Sequence, residues 1–400
     1  MRSSKWISLA LTALAVILSL TTWFSATAIL PELRQALAMT PQTSAWLTNA
    51  VQAGFVVGAL ISAVLSLGDV VALPRLMALA SVAAALFNAA PLLALNGELV
   101  IATRFGTGAA LALVYPPALK FIATWFRTGR GLAMGVMVGA LTLGSALPHF
   151  VRGLGTDIAW QPVLITSSLA GLVAAGIFGL VLREGPNAFA RATVDPRQIR
   201  TILRNRPVML ANAGYFGHMW ELYAMWAWIL AYITAAKRTG LPLENASLLA
   251  FAVIALGAPG CVIAGWLADR IGRCNTTALA MALSGLSAFL IGFVFDGPVW
   301  AFVPIALLWG LTVVADSAQF SAAVTELADQ HLVGSALAFQ MGVGFAITIG
   351  MIWVLPVLAD LLGSWRWGFL VLVPGPIVGV YAMISLRQHP DACRIAQGRR

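Results

Sequence analysis

Along this chain apolar residues come in runs of about 20, the length a helix needs to cross the hydrocarbon core of a bilayer, and polar residues gather in short clusters between them. Counting such runs predicts twelve helices, over residues 6–30, 44–67, 75–95, 98–122, 131–151, 160–182, 207–234, 246–267, 276–295, 299–323, 332–357 and 366–386. The first run follows Arg2 and Lys5 and passes through "SATA", which has the form of a leader cleavage site. At about 25 residues it exceeds the apolar core of a typical signal peptide, so it reads as a span. The longest polar interruption lies between the sixth and seventh runs. It divides the chain into a first half, 1–182, a linker, 183–206, a second half, 207–386, and a tail, 387–400.

Composition narrows this further. Hydrophobic residues make up 60% of the 400 and charged ones only 10%, against about a quarter charged in a soluble chain, so a soluble globule is excluded. The net charge of +9 follows the topology: 18 of the 24 Lys and Arg fall in loops and termini on one side of the predicted spans and five on the other, with Arg104 inside a span. That bias places both termini in the cytoplasm and the protein in the cytoplasmic, or inner, membrane. The basic excess is thus explained by the bilayer as partner, and a nucleic-acid partner is excluded. Three scattered cysteines, Cys261, Cys274 and Cys393, suggest neither a disulfide framework nor a zinc site. No phosphate-binding loop or serine-nucleophile turn is present, so an enzyme is not expected, and no cofactor is called for. Uphill movement of a solute would then draw on an ion gradient.

The two halves repeat one another. Aligning "GDVVALPR" from Gly68 with "GWLADRIGR" from Gly265 places Asp69 on Asp269, an offset of 200. Gly131 and Gly139 fall on Gly334 and Gly342, an offset of 203, and Trp160 falls on Trp365, an offset of 205. Three matches near half the chain length predict a duplicated unit.

On these residues the chain resembles the major facilitator superfamily over essentially its whole length. Gly265, Asp269, Arg270, Gly272 and Arg273 match the family's loop signature G-x-L-x-D-R-x-G-R; the first-half copy keeps Gly68, Asp69 and Arg75, with Pro74 intruding. "RFGTG", Arg104 to Gly108, is similar to the family's R-x-x-x-G motif, and "RGLAMGVMVGALTLGSALP" resembles its glycine-spaced fifth helix. The resemblance implies an all-α membrane protein of twelve transmembrane helices in two pseudo-symmetric six-helix bundles. These would rock about a central cavity lined mainly by the first, fourth, seventh and tenth helices. Asp69, Arg75, Gly265, Asp269, Arg270 and Arg273 would then form conformational latches, a carboxylate pairing with a guanidinium at helix ends. Gly131, Gly135 and Gly139 recur every four residues and would let helices slide closely past one another, although plain packing explains that stripe equally well.

Within "GYFGHMWELYAMWAWIL", residues 214–230, a helical wheel places Gly214, His218, Glu221, Met225 and Trp228 on one stripe. An intramembrane carboxylate costs about 3 kcal/mol on insertion scales and usually marks a polar pathway. The fourth span puts Arg104 and Tyr115 on one face, and the tenth puts Asp316 and Gln319 on another. These six, Arg104, Tyr115, His218, Glu221, Asp316 and Gln319, are the candidates for a solute and proton pathway. Arg104 would hold an anion or compensate charge, Glu221 carry a proton with His218 tuning it, and Asp316 act as a second carboxylate or a structural ion-pair partner. Each has a structural alternative: a satisfied buried carboxyl for Glu221, snorkelling for Arg104, a helix cap or latch for Asp316. His149, after Pro148, reads as interfacial. One His-x-x-Glu pair offers only two metal donors, so no metal is expected.

The first helix and its loop are loosely similar to the nitrate, cyanate and organic-anion branch. The arginines that nitrate porters carry in the second and eighth helices are absent, and Gln52 is what the second offers. The expectation is a monomeric, proton-coupled secondary transporter, a symporter of a small organic solute with an anion preferred. A drug or metabolite exporter coupled to protons, or a non-transporting membrane receptor or sensor, remain as alternatives. The last is disfavoured by a linker of about 24 residues and a tail of about 14, short for a signalling domain.

Overall fold

The computed structural model describes residues 4–93, 96–126, 130–154, 159–187, 199–329 and 332–399, and among these it is helical, with no strand. Ten helices among the described residues are long and apolar enough to cross a membrane. The chain separates into two compact units, one of Met1–Arg191 with Ser247–Phe251, the other of Ala192–Ala246 with Ala252–Arg400.

In the first unit the long helices are α1 (Lys5–Leu20), α2 (Pro41–Val64), α3 (Leu73–Leu93), α4 (Gly97–Trp125), α5 (Arg130–Gly153) and α6 (Gln161–Val181). In the second half of the chain they are α7 (Arg206–Thr239), α8 (Ala246–Ile271), α9 (Arg273–Val294), α10 (Val299–Leu327), α11 (Val333–Leu361) and α12 (Gly368–Gln388). Two of these differ from the uniform spans expected. The run over 6–30 stops as a regular helix at Leu20 and resumes as the short turns Ser25–Ala28 and Leu30–Ala36. α7, at 34 residues, is long enough to span but too polar to be counted among the ten, because Asn212, His218 and Glu221 interrupt its apolar sequence.

The duplication is visible at single-residue register. α4 is interrupted after Leu111 and restarts at Tyr115; α10 is interrupted after Val313 and restarts at Ser317, every boundary displaced by 202. α3 tightens into a 3-10 turn at Ala90–Leu93, and α9 does so at Ile291–Val294, displaced by 201. The neighbours also recur: α1 packs on α5 and α6, α3 on α4 and α6, and α2 on α4, while α7 packs on α11 and α12, α9 on α10 and α12, and α8 on α10.

Glycine explains the closest of these approaches. A Cβ added to Gly108 on α4 would run into the carbonyl oxygen of Val51 on α2, and one on Gly58 into that of Ala109. At the same displacement of 202, a Cβ on Gly310 would meet the carbonyl of Val253, and one on Gly260 that of Leu311. In lipid, where the apolar tails compete with apolar side chains, backbone approach of this kind is what holds helices together.

Candidate functional site

In the first unit Arg104 on α4 and His149 on α5 are fully buried ionisable residues, and Arg104 is the one the sequence put forward for the pathway. The end of α1 leaves main-chain carbonyls without helical partners, and a cation is favoured there. Arg104 meets that need: its Nη2 donates to the carbonyls of Thr22 (2.6 Å) and Trp23 (2.8 Å), and its Nη1 to Asn88 Oδ1 (2.8 Å) and Ser25 Oγ (3.4 Å). Asn88 on α3 is itself fixed through Ser168 Oγ (2.9 Å) and the Leu164 carbonyl (3.2 Å) of α6. Both terminal nitrogens of the guanidinium are therefore committed to the interruption of α1. Tyr115, buried, opens the second segment of α4, where Pro116 and Pro117 withhold the N–H groups a continuous helix would use.

The second unit holds the remaining ionisable candidates. His218 and Glu221 lie one turn apart on α7, both buried, but they engage different groups. His218 Nδ1 stands 2.9 Å from Asp316 Oδ1, an ion-pair distance, with both side chains at most 2% exposed. Asp316 occupies the interruption of α10, at the start of the segment Ser317–Leu327, yet its side chain caps no backbone N–H there. Glu221 Oε1 accepts from Ser284 Oγ of α9 (2.7 Å) and from Trp309 Nε1 of α10 (2.6 Å). Tyr215 and Phe320 flank the His218 ring at centroid separations of 6.0 and 5.7 Å. His218 is thus partnered by Asp316 rather than by Glu221, and Glu221 is held by two neutral donors.

Gln319, also buried, is drawn away from this group: its Oε1 accepts from Arg273 Nη1 at 2.6 Å. Arg273 further grips Glu326 at the end of α10, Nη2 to Oε1 at 2.7 Å and Nε to Oε2 at 3.0 Å. The loop motif is therefore tied within its own unit. Arg270 stacks its guanidinium 3.6 Å from the Trp266 ring, the carbonyl of Asp269 accepts from Arg399, and Gly265 is buried. Gly272 adopts φ 88°, a backbone state that favours glycine, and so lets α8 end and α9 begin with Gly272 alone between them. In the first-half copy, Arg75 is exposed, the side chain of Asp69 lies outside the described residues, and the carbonyl of Gly68 accepts from Lys120 Nζ at 3.0 Å. Of the glycine series on α5, Gly131 is half-buried and Gly135 and Gly139 are buried. The close approach of α5 to α1 is made one turn later, where Gly144 faces the Ile17 carbonyl.

Sequence reasoning missed Ser284, Trp309, Asn88 and Glu326. The first two lie in apolar runs 63 and 88 residues from Glu221, with nothing local to mark them. Glu326, a carboxylate at the end of a predicted span, carried a signal that could have paired it with the arginines of the loop motif.

Residues 12–349 match the family described as the Major Facilitator Superfamily, and the chain belongs to it. It is an all-helical, multi-pass membrane protein of a transporter family. Among relatives, the "MFS-type transporter hasB" of Aspergillus fumigatus is 26% identical over 65% of this chain and 60% of its own length. The "Agnestins efflux protein AgnL12" of Paecilomyces divaricatus is 24% identical over 48% of this chain and 43% of its own. The "Glucose transport protein" of Synechocystis sp. is 33% identical over 41% of this chain and 36% of its own. The chain spans between about half and three-fifths of the length of the first of the curated relatives it matches.

Proposed function

We propose that this chain is a secondary active transporter moving a small organic solute across the cytoplasmic membrane by alternating access. In this reading twelve helices form two six-helix bundles, both termini are cytoplasmic, and a single chain is the working unit. Protons supply the drive, loading onto the His218–Asp316 pair and Glu221. The observation that carries the reading is the concentration of three ionisable side chains, each at most 2% exposed, on α7 and α10 of one unit. A buried ion costs several kcal/mol unless it is paired or neutralised. Adding or removing one proton in this group therefore changes which arrangement of its helices is favoured.

An anionic solute loses the cation that the sequence offered for it, since the terminal nitrogens of Arg104 are taken up at the α1 interruption. The direction is open to both uptake and export, and relatives named as efflux proteins favour export as the second reading. The test is proton flux in proteoliposomes carrying a pH-sensitive dye, challenged with small carboxylates, amino acids, sugars and lipophilic cations. A solute-dependent proton signal that Glu221→Gln removes is the expected result. Full gradient-driven accumulation by Glu221→Gln would remove Glu221 from the proton path.

A further inference from the structure

Among the described residues six carboxamide side chains are buried: Asn49, Gln52, Asn88, Asn212, Gln319 and Gln340. Four of them are bonded. Asn88 is tied to Arg104, Ser168 and Leu164; Gln340 Nε2 donates to Asn212 Oδ1 at 3.0 Å, and its Oε1 accepts from Ser321; Gln319 accepts from Arg273. The other two, Asn49 and Gln52, are both fully buried on α2, and neither the nitrogen nor the oxygen of either amide has a partner. They are three residues apart, so they share one face of the helix. At about 100° per residue that face is turned nearly half a revolution from the one on which Gly54 and Gly58 meet α4.

A buried polar group left unpaired costs about 1–3 kcal/mol, so four such atoms on one turn are unusual unless something binds them. Beside them Thr48 bonds Thr27 across hydroxyls at 2.7 Å, which puts this face next to the Ser25–Ala28 turn of the interrupted first run. α5 packs on the same turn and carries His149, fully buried with both ring nitrogens unpartnered. The nearby charges are committed, Arg104 to the α1 interruption and Arg152 to Glu32.

We infer that the Asn49–Gln52 face of α2 is a binding site for an uncharged group that donates and accepts hydrogen bonds at several points, of polyhydric type. Each carboxamide offers two N–H donors and a carbonyl acceptor, the complement of neighbouring hydroxyls. With no free charge beside it, the face has nothing to neutralise an ionised group. The inference rests on the transport reading for the solute's passage but not for its binding.

The test uses the full chain with glucose and sorbitol as probes and lactate and choline as charged controls, measuring binding by calorimetry and uptake into proteoliposomes. The variants are Asn49→Leu and Gln52→Met, which remove the polar amide atoms. Wild type should bind an uncharged probe, and each variant should weaken that binding by about tenfold, as expected for loss of one or two hydrogen bonds. The unfolding midpoint should hold or rise, because unpaired polar atoms are removed; a purely structural role would lower it. Wild type that binds only the charged controls, or variants that bind like wild type, would overturn the site. Binding that the variants weaken, without flux of any solute, would instead overturn the transport reading and leave the site standing.

Discussion

Arg104 and Glu221 are both buried ionisable groups on helices of the same kind of trio, the first, third and fourth of one unit and of the other, but their surroundings give them different work. Arg104 is held by main-chain carbonyls and an asparagine, none of which changes charge. Arg104→Met would leave the carbonyls of Thr22 and Trp23 and the Asn88 amide short of donors. At about 1.5–3 kcal/mol for each hydrogen bond to a charged group, a loss of at least about 3 kcal/mol is expected, read as a lower midpoint of thermal unfolding in detergent. Arg104→Lys should recover only part, because an ammonium lacks the fork that reaches two carbonyls and Asn88 together. In the second unit Glu221 is likewise held by neutral donors, Ser284 and Trp309, but His218 and Asp316 face each other as two groups that can exchange a proton. Asp316→Asn removes the ionisable charge 2.9 Å from His218 and should cut pH-driven accumulation at least about tenfold while leaving solute exchange measurable in the same vesicles. Equal loss of both activities would make the pair a structural one.

At the scale of elements, the interruption of α4 and of α10 falls at the same place with different chemistry. Pro116 and Pro117 enforce it in one helix; the other has no proline there and puts Asp316 at the gap, where its carboxylate faces His218. The glycine contacts repeat with it, so Gly108→Leu and Gly310→Leu should damage folding to a similar degree, each driving a side chain into the opposing backbone. Expression and monodispersity of the two variants, compared with Gly176→Leu, whose added Cβ meets nothing within 4 Å, check this. Much of this level was legible. Apolar runs located the ten helices long and apolar enough to cross a membrane among the described residues, and spaced matches near an offset of 200 announced the repeated register, because bilayer thickness and repeat length both leave a periodic trace. The break after Leu20 was not legible, since "TTWFSATA", though richer in Thr and Ser than the residues before it, holds no Gly, Pro or charge to end a helix, and only the position of Arg104 shows which carbonyls need a donor. Nor was the split of His218 from Glu221: a wheel gives the shared face of one helix but not which neighbours stand opposite each turn.

For the molecule as a whole, the asymmetry of basic residues predicts where each end lies. Cys393 is the exposed thiol among the described residues, and Cys261 and Cys274 are buried. A membrane-impermeant maleimide should therefore label the unmodified protein in inverted vesicles and spare it in sealed cells, with Cys393→Ser abolishing the signal. Labelling from the cell exterior would reverse the orientation. The register of the two units also orders their history. Interruptions, 3-10 turns and glycine contacts that coincide at a displacement of 201 or 202 descend from one ancestral segment that already possessed them before it was copied. Arg104 in one copy and the His218, Glu221 and Asp316 group in the other have no such counterpart, so the shared register belongs to the scaffold and not to its buried ionisable side chains. What the two halves hold in common is a scaffold, and each carries its own chemistry on it.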